Sequence, residues 1–257
     1  MSQPLIPIGF RTLFWKETRR FLRVPGQTLA QPIVTTALYF LVFGYALGGR
    51  VRELDGVPYI QFIVPGLVML GIIQNSFLNS ASSMFIMKMQ GTIVDLLVAP
   101  ISTAEILAAF VLAAIVRGLL VGTITWGVAA VFVGVHVAHP GWVIVSALLV
   151  GTTFALAGLV VAIWSEKFEQ LNLVPTFVIT PLTFLGGVFY SAQMLPEPWA
   201  SVTRANPILY MVEGLRYGLV GVAHTSPWQG VAITSGVMAV ALLVATWMLK
   251  TGYKLRG

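Results

Sequence analysis

Polar side chains recur at helical spacing inside otherwise apolar stretches of this chain. Asn75 and Asn79 lie four residues apart, and Ser76, Ser80 and Ser83 follow an i, i+4, i+7 pattern. Asn172, Thr176, Thr180 and Thr183 show a similar spacing further on. Amides and hydroxyls on one helix face do not cleave or oxidise a substrate. In lipid they either line a route for a solute or hydrogen-bond one helix to another. Asn75, Asn79, Ser83, Thr176, Thr180 and Thr183 are therefore candidates for a substrate path, with interhelical bonding as the alternative for the same residues. Harder chemistry is poorly represented. His136 and His139 form a close pair, but zinc needs three or four ligands and no third is in sight, so no metal is expected. The chain contains no cysteine. It has no G-x-x-x-x-G-K-[ST] loop for ATP, no G-x-S-x-G and no H-E-x-x-H. Scattered serines, His136, His139 and Glu213 do not assemble a nucleophile–base pair, so an intramembrane enzyme is the weakest reading.

The elements that must position these residues follow from charge. Charged residues are 9% of the chain and hydrophobic ones 57%. Five stretches carry no charge: 24–49, 56–87, 118–165, 170–196 and 217–249. A helix crosses a ~30 Å hydrocarbon core with about 20 residues. The third stretch, 48 residues long, is too long for one crossing, and His136 to Gly141 read as a turn dividing it. Backbone groups in lipid must be satisfied within the segment, so these are helices. The expected fold is an all-α membrane protein with six transmembrane helices at 28–48, 60–82, 105–134, 141–164, 172–190 and 230–249, forming one domain over 1–257. Pro175 and Pro181 should kink the fifth span. The first span follows an Arg-rich helix and is too long for a cleavable signal peptide.

The net charge of +6 flanks the spans instead of forming a nucleic-acid patch. Arg11, Lys16, Arg19, Arg20, Arg23, Lys88, Lys167, Lys250, Lys254 and Arg256 fall on one side, and Arg50, Arg52, Arg204 and Arg216 on the other. The positive-inside rule then places both termini in the cytoplasm. Residues 9–24 read as an amphipathic helix in the interface, with Phe10, Leu13, Phe14 and Phe21 near one face and Trp15 at headgroup level. Arg117 lies inside the third span with no acid at its depth, so backbone carbonyls or Asn side chains are its expected partners. The pairs Gly44/Gly48, Gly118/Gly122 and Gly214/Gly218 suit close helix contact. All nine acidic residues lie near span ends or in loops. That disfavours an ion-coupled secondary transporter, which places a carboxylate at mid-membrane.

Two loops are too apolar to be simple connectors. Residues 87–104 hold Gly91, Thr92, Ile93, Asp95, Leu96, Leu97 and Pro100, and a short helix here should present Ile93, Leu96 and Leu97 to a protein partner. Residues 191–222 are broken by Pro196, Pro198 and Pro207 and read as re-entrant helices in the outer leaflet, held by a Glu213–Arg216 pair. With the motifs G-T-x-x-x-L-L-x-x-P-x-S from Gly91, F-L-G-G-V-F-Y-S from Phe184 followed by L-P-x-x-W, and N-P with E-G-L-R from Asn206, the chain resembles the permease subunits of ABC-2 type transporters. The resemblance covers essentially the whole chain. It implies an exporter permease in the inner membrane that acts as a homodimer with two copies of a separate ABC ATPase. ATP and Mg would be bound on that partner, with no cofactor on this chain. The 91–102 loop would be the coupling helix, with Asp95 directly before its Leu pair. The opening seam would lie at spans two and five.

Overall fold

The long charge-free stretches are mostly helical where the structure describes them. The computed structural model describes residues 8–47, 53–54, 56–134 and 137–255. The chain opens with α1 (Ile8–Leu22). α2 (Gln31–Tyr39) follows between two π-helical turns, Gly26–Ala30 and Phe40–Leu47. A two-residue antiparallel hairpin, β1 (Glu53–Leu54) and β2 (Val57–Pro58), pairs Glu53 with Pro58 and leads into α3 (Tyr59–Met89). Next come α4 (Ile93–Val98), α5 (Thr103–Val133) and α6 (Pro140–Trp164). The fifth apolar run is broken into α7 (Phe168–Val174), a π turn at Pro175–Ile179, and α8 (Thr180–Phe184). α9 (Trp199–Ala205), α10 (Pro207–Val220) and α11 (Pro227–Thr251) complete the fold.

α3, α5, α6 and α11 are each long and apolar enough to cross a membrane. α3 is the axis of the bundle. It packs against α5, α6 and α10, and Phe62, Ile63, Met69, Ile73 and Phe77 are fully enclosed. α11 is the opposite case: 17% of its apolar stretch is covered by protein, against 72% for α3. α5 begins with a reciprocal cap, because the Glu105 amide donates to Ser102 Oγ (3.2 Å) and the Ser102 amide donates to Glu105 Oε2 (2.7 Å).

The first and fifth runs are interrupted helices. Pro175 and Pro181 cannot donate backbone hydrogen bonds. The expected kink is realised as a π turn, in which the Thr180 amide bonds back to the Pro175 carbonyl. Helix 172–190 was expected to run on through the F-L-G-G-V-F-Y-S motif, but it stops at Phe184. Gly187 adopts a positive φ of 73° and turns the chain back. The turn packs Val188 against Gly66 on α3.

That contact leaves no room for a side chain. A Cβ on Gly66 would stand 2.7 Å from the Val188 carbonyl oxygen and 2.8 Å from its Cα. Gly66→Ala should destabilise the protein by about 1–3 kcal/mol, the usual cost of overpacking. Gly127→Ala on α5 meets nothing within 4 Å and should leave stability level or slightly raised. Thermal unfolding in detergent compares the two, and equal midpoints would mean that the turn does not bear on α3.

One end of the bundle gathers the N-terminal helix, the 91–102 loop and the C-terminal tail. Gly9 lies against Ile101. Lys88 Nζ caps α6 by donating to the carbonyls of Ile163 (2.7 Å) and Ser165 (2.8 Å). Lys254 Nζ donates to the Trp164 carbonyl (3.3 Å) and to Glu166 (2.6 Å). The Lys254 hydrogen bond holds the exposed Glu166 carboxyl below its usual range and lifts the Lys254 ammonium above its own.

Candidate coupling surface and polar interior

Gly91, with a φ of 74°, ends the α3 turn and starts α4. The expectation that Ile93 and Leu96 face outward is corrected here. They are 2% and 8% exposed, and Leu97 is half-buried. In a six-residue helix these residues, three apart, form the one apolar stripe that can close over α3, and they join the core. The outward face is Val94 (54% exposed) and Val98 (77%), with Gly91, Thr92, Asp95 and Pro100 also exposed. Between this loop and α1 lies a cavity of about 1020 Å³ lined by Leu13, Lys16, Glu17, Met87, Leu96 and Pro100, among others.

α1 does more than lie along the apolar edge. It packs on α5 and buries Leu13 and Phe21 as its pattern requires, but also Glu17. Glu17 Oε2 accepts from Ser83 Oγ (2.5 Å) and from Arg20 Nε (3.2 Å). Arg20 in turn donates to the Asn79 carbonyl (2.7 Å), to Asn79 Oδ1 (3.2 Å) and to Ser82 Oγ (3.3 Å). Asn79 and Ser83 are therefore held by α1 within one chain. Ser80 bonds α3 to α6 through the Ala155 carbonyl (2.7 Å).

Asn75 sits differently. Its amide donates to the Gly71 carbonyl (3.1 Å). It lines a cavity of about 70 Å³ with Gln31, Thr35, Thr36, Gln74 and Thr125, between α2, α3 and α5. On the fifth run, Thr180 donates to the Pro175 carbonyl (2.8 Å) and the buried Thr183 to the Ile179 carbonyl (2.7 Å). Thr176 is exposed. Among the described residues, no hydrogen bond joins the Asn75/Asn79/Ser83 set to the Thr176/Thr180/Thr183 set. Within the fifth run, Thr180 and Thr183 bond to carbonyls of their own segment.

At the other end, the 191–222 segment folds into a 3₁₀ turn at Ala192–Met194, α9 and α10. α10 is buried against α3, α6 and α11. Asn206 caps it, accepting from the Ile208 amide (3.0 Å) and donating to the Leu182 carbonyl (2.6 Å). Glu213 and Arg216 form the expected ion pair, with both side chains almost wholly buried. Arg216 also donates to the Gly187 carbonyl (2.6 Å) and lies over the Phe62 ring at 3.9 Å. The His224 amide donates to the other Glu213 oxygen (2.6 Å), and its ring meets Ser191 Oγ and Gln193 Nε2, each at 3.0 Å.

Residues 9–220 match the model of the ABC-2 type transporter family. The chain belongs to that family. It is 42% identical over 242 residues to the inner membrane transport permease YadH of Escherichia coli K12, covering 94% of this chain and 93% of the relative. It is 28% identical over 222 residues to nodulation protein J of Rhizobium meliloti, covering 84% and 80%. The homologous protein of Rhizobium leguminosarum bv. viciae is 24% identical over 218 residues, covering 84% and 81%. This chain is thus a multi-pass ABC-2 transport permease.

Within this ABC-2 permease the sequence reading overlooked Glu17 and His224, and gave Arg20 a topological role only. An acid on a basic amphipathic helix was a usable signal for Glu17, since nothing on such a helix otherwise needs one. The close glycine contacts are real: Gly118 abuts Ser76, Gly122 abuts Ile72, Gly214 abuts Ser146 and Gly218 abuts Val143. His139 stacks on Tyr217 at 4.5 Å, and no three potential metal ligands meet among the described residues. His136, Gly48, Arg50, Arg52 and Arg256 lie outside the described residues.

Proposed function

We propose that the chain is the permease half of an ATP-driven exporter, two copies forming the substrate path and two separate ABC ATPase chains supplying the energy. The observation that carries this reading is the outward face of α4. Val94, Asp95 and Val98 project beside α1 at the end of the bundle where the chain's basic flanks collect. Exposed valines on a short helix between two breakers suit a protein socket. Both termini then lie in the cytoplasm, with six crossings made by the four long helices and the two interrupted ones. ATP and Mg belong to the partner.

The dimer seam is best placed where the protomer leaves apolar and polar groups uncovered together. On α3 that is the stripe Gln74, Leu78 and Ile86, with Asn75 and Ser82 half-buried. On the fifth run it is Thr176, Phe177 and Val178. Proline-interrupted, π-turned helices concentrate at functional sites and can change pitch. The fifth run is held to its own protomer at its ends, through α6 and α10.

The chain has no cysteine, so single Gln74→Cys and Thr176→Cys variants are clean probes. They should cross-link between protomers, or change reactivity with ATP when the ATPase is present. Val240→Cys on the exposed face of α11 should do neither. Equal behaviour at all three positions would remove spans two and five from the seam.

A further inference from the structure

Arg117 has no task in the transport reading, and its surroundings are unusual. It is 7% exposed. Among the described residues it makes no hydrogen bond or ion pair, and its Nε is buried without a partner. Sequence offered backbone carbonyls or Asn side chains as partners, and on α3 the Asn79 carbonyl and Oδ1 both accept from Arg20 instead. Arg20 is itself within electrostatic reach of Arg117 and carries the same sign. Glu17 does not neutralise Arg117: its Oε2 is committed to Arg20 and Ser83, and its Oε1 makes no hydrogen bond. Two guanidinium groups against one carboxylate leave one positive charge over. A buried, unpaired charge is strongly unfavourable, and an arginine inside a spanning helix ordinarily has a partner or water.

A second observation shows where a partner can enter. α1 presents an open basic face formed by Arg11, Lys16, Arg19, Arg20 and Arg23. Arg20 belongs both to that face and to the buried knot on α3. α1 packs against α5, with Gly9 against Ile101 just before α5 begins. With 31 residues, α5 is about 46 Å long, roughly 16 Å more than a hydrocarbon core. If that excess projects at the α1 end, Arg117, about 21 Å from the start of α5, falls some 5 Å inside the boundary. An arginine side chain reaches the headgroup level from there.

We propose that Arg117 and Arg20 form a binding site for one phosphate-type anion, entering along the basic face of α1 at the headgroup level of the adjacent leaflet. A guanidinium offers a fork that matches phosphate oxygens. The five cations along the route favour a group carrying more charge than a carboxylate. A lipid phosphate and free phosphate share this chemistry.

The test uses the full chain, purified in detergent and stripped of lipid. Native mass spectrometry measures retention of phosphatidylglycerol against diacylglycerol with the same acyl chains. Thermal unfolding in inorganic phosphate against chloride, at matched ionic strength, measures the free anion. Wild type should retain phosphatidylglycerol but not diacylglycerol. Arg117→Gln should weaken that retention about ten- to a hundred-fold, and Arg117→Lys, which keeps the charge without the fork, by less. Arg204→Gln, exposed at the other end of the bundle, should retain it. Stabilisation by inorganic phosphate without retained lipid would support the site with a free anion as its occupant. Neither retention nor stabilisation in wild type would overturn the assignment whether or not Arg117→Gln folds. Equal retention by wild type and a folded Arg117→Gln variant would overturn it as well.

Discussion

Glu213→Gln should cost the protein about 3–5 kcal/mol, the usual penalty for breaking a buried ion pair. The carboxylate receives Arg216 on one oxygen and the His224 amide on the other. Glutamine keeps the shape and removes the charge, so the Glu213 side of the buried pair over Phe62 is lost. The effect should extend beyond the pair. Arg216 also anchors the Gly187 turn, and His224 ties in the 191–193 segment. Glu197→Gln is the control. Its contact with Arg204 is exposed on both sides at 3.6 Å and should be worth under about 1 kcal/mol. Thermal unfolding of both variants in the same detergent reads the difference, and a Glu213→Gln midpoint equal to that of Glu197→Gln would sink this account of the cap.

The second large effect is expected on α4, and it separates two faces of one short helix. Val94→Asp with Val98→Asp should abolish co-purification of the ATPase while leaving the permease monodisperse. Each valine buried at a partner surface is worth about 1.5–3 kcal/mol, so losing both weakens binding by at least two orders of magnitude. Leu96→Asp should act through the fold instead, because it places a charge in the core beside Ile93. It should lower the yield of folded permease before any binding is measured. An ATPase that stays bound to the Val94→Asp/Val98→Asp variant would exclude this face as the coupling surface.

What could be read from the residue string follows the range of each interaction. Charge-free runs located the helices, and prolines located the break in the fifth run, because hydrocarbon thickness and a missing amide act locally. The Glu213–Arg216 pair was legible since both residues sit on one helix three positions apart. The face of α4 was not. A six-residue amphipathic helix fits either orientation, and only the position of α3 decides. The Glu17–Arg20 knot was invisible for the same reason: its partners, Ser83 and Asn79, are 66 and 59 positions away. The polar stripes were read correctly as periodic, but their destinations differ. One is occupied by α1, and the other bonds to its own helix.

The enclosed position of α3 bears on how the chain is made. It is the least apolar of the four long helices, and it enters the bilayer before the elements that cover it. Its serine bond to the Ala155 carbonyl exists only once α6 has been synthesised, and its contacts with α10 later still. Until then Asn75, Ser76, Asn79 and Ser80 would face acyl chains, with α1 able to shelter only the Asn79–Ser83 end. Partitioning of α3 into lipid is therefore expected to come late, once α5 and α6 are there to take up its polar face.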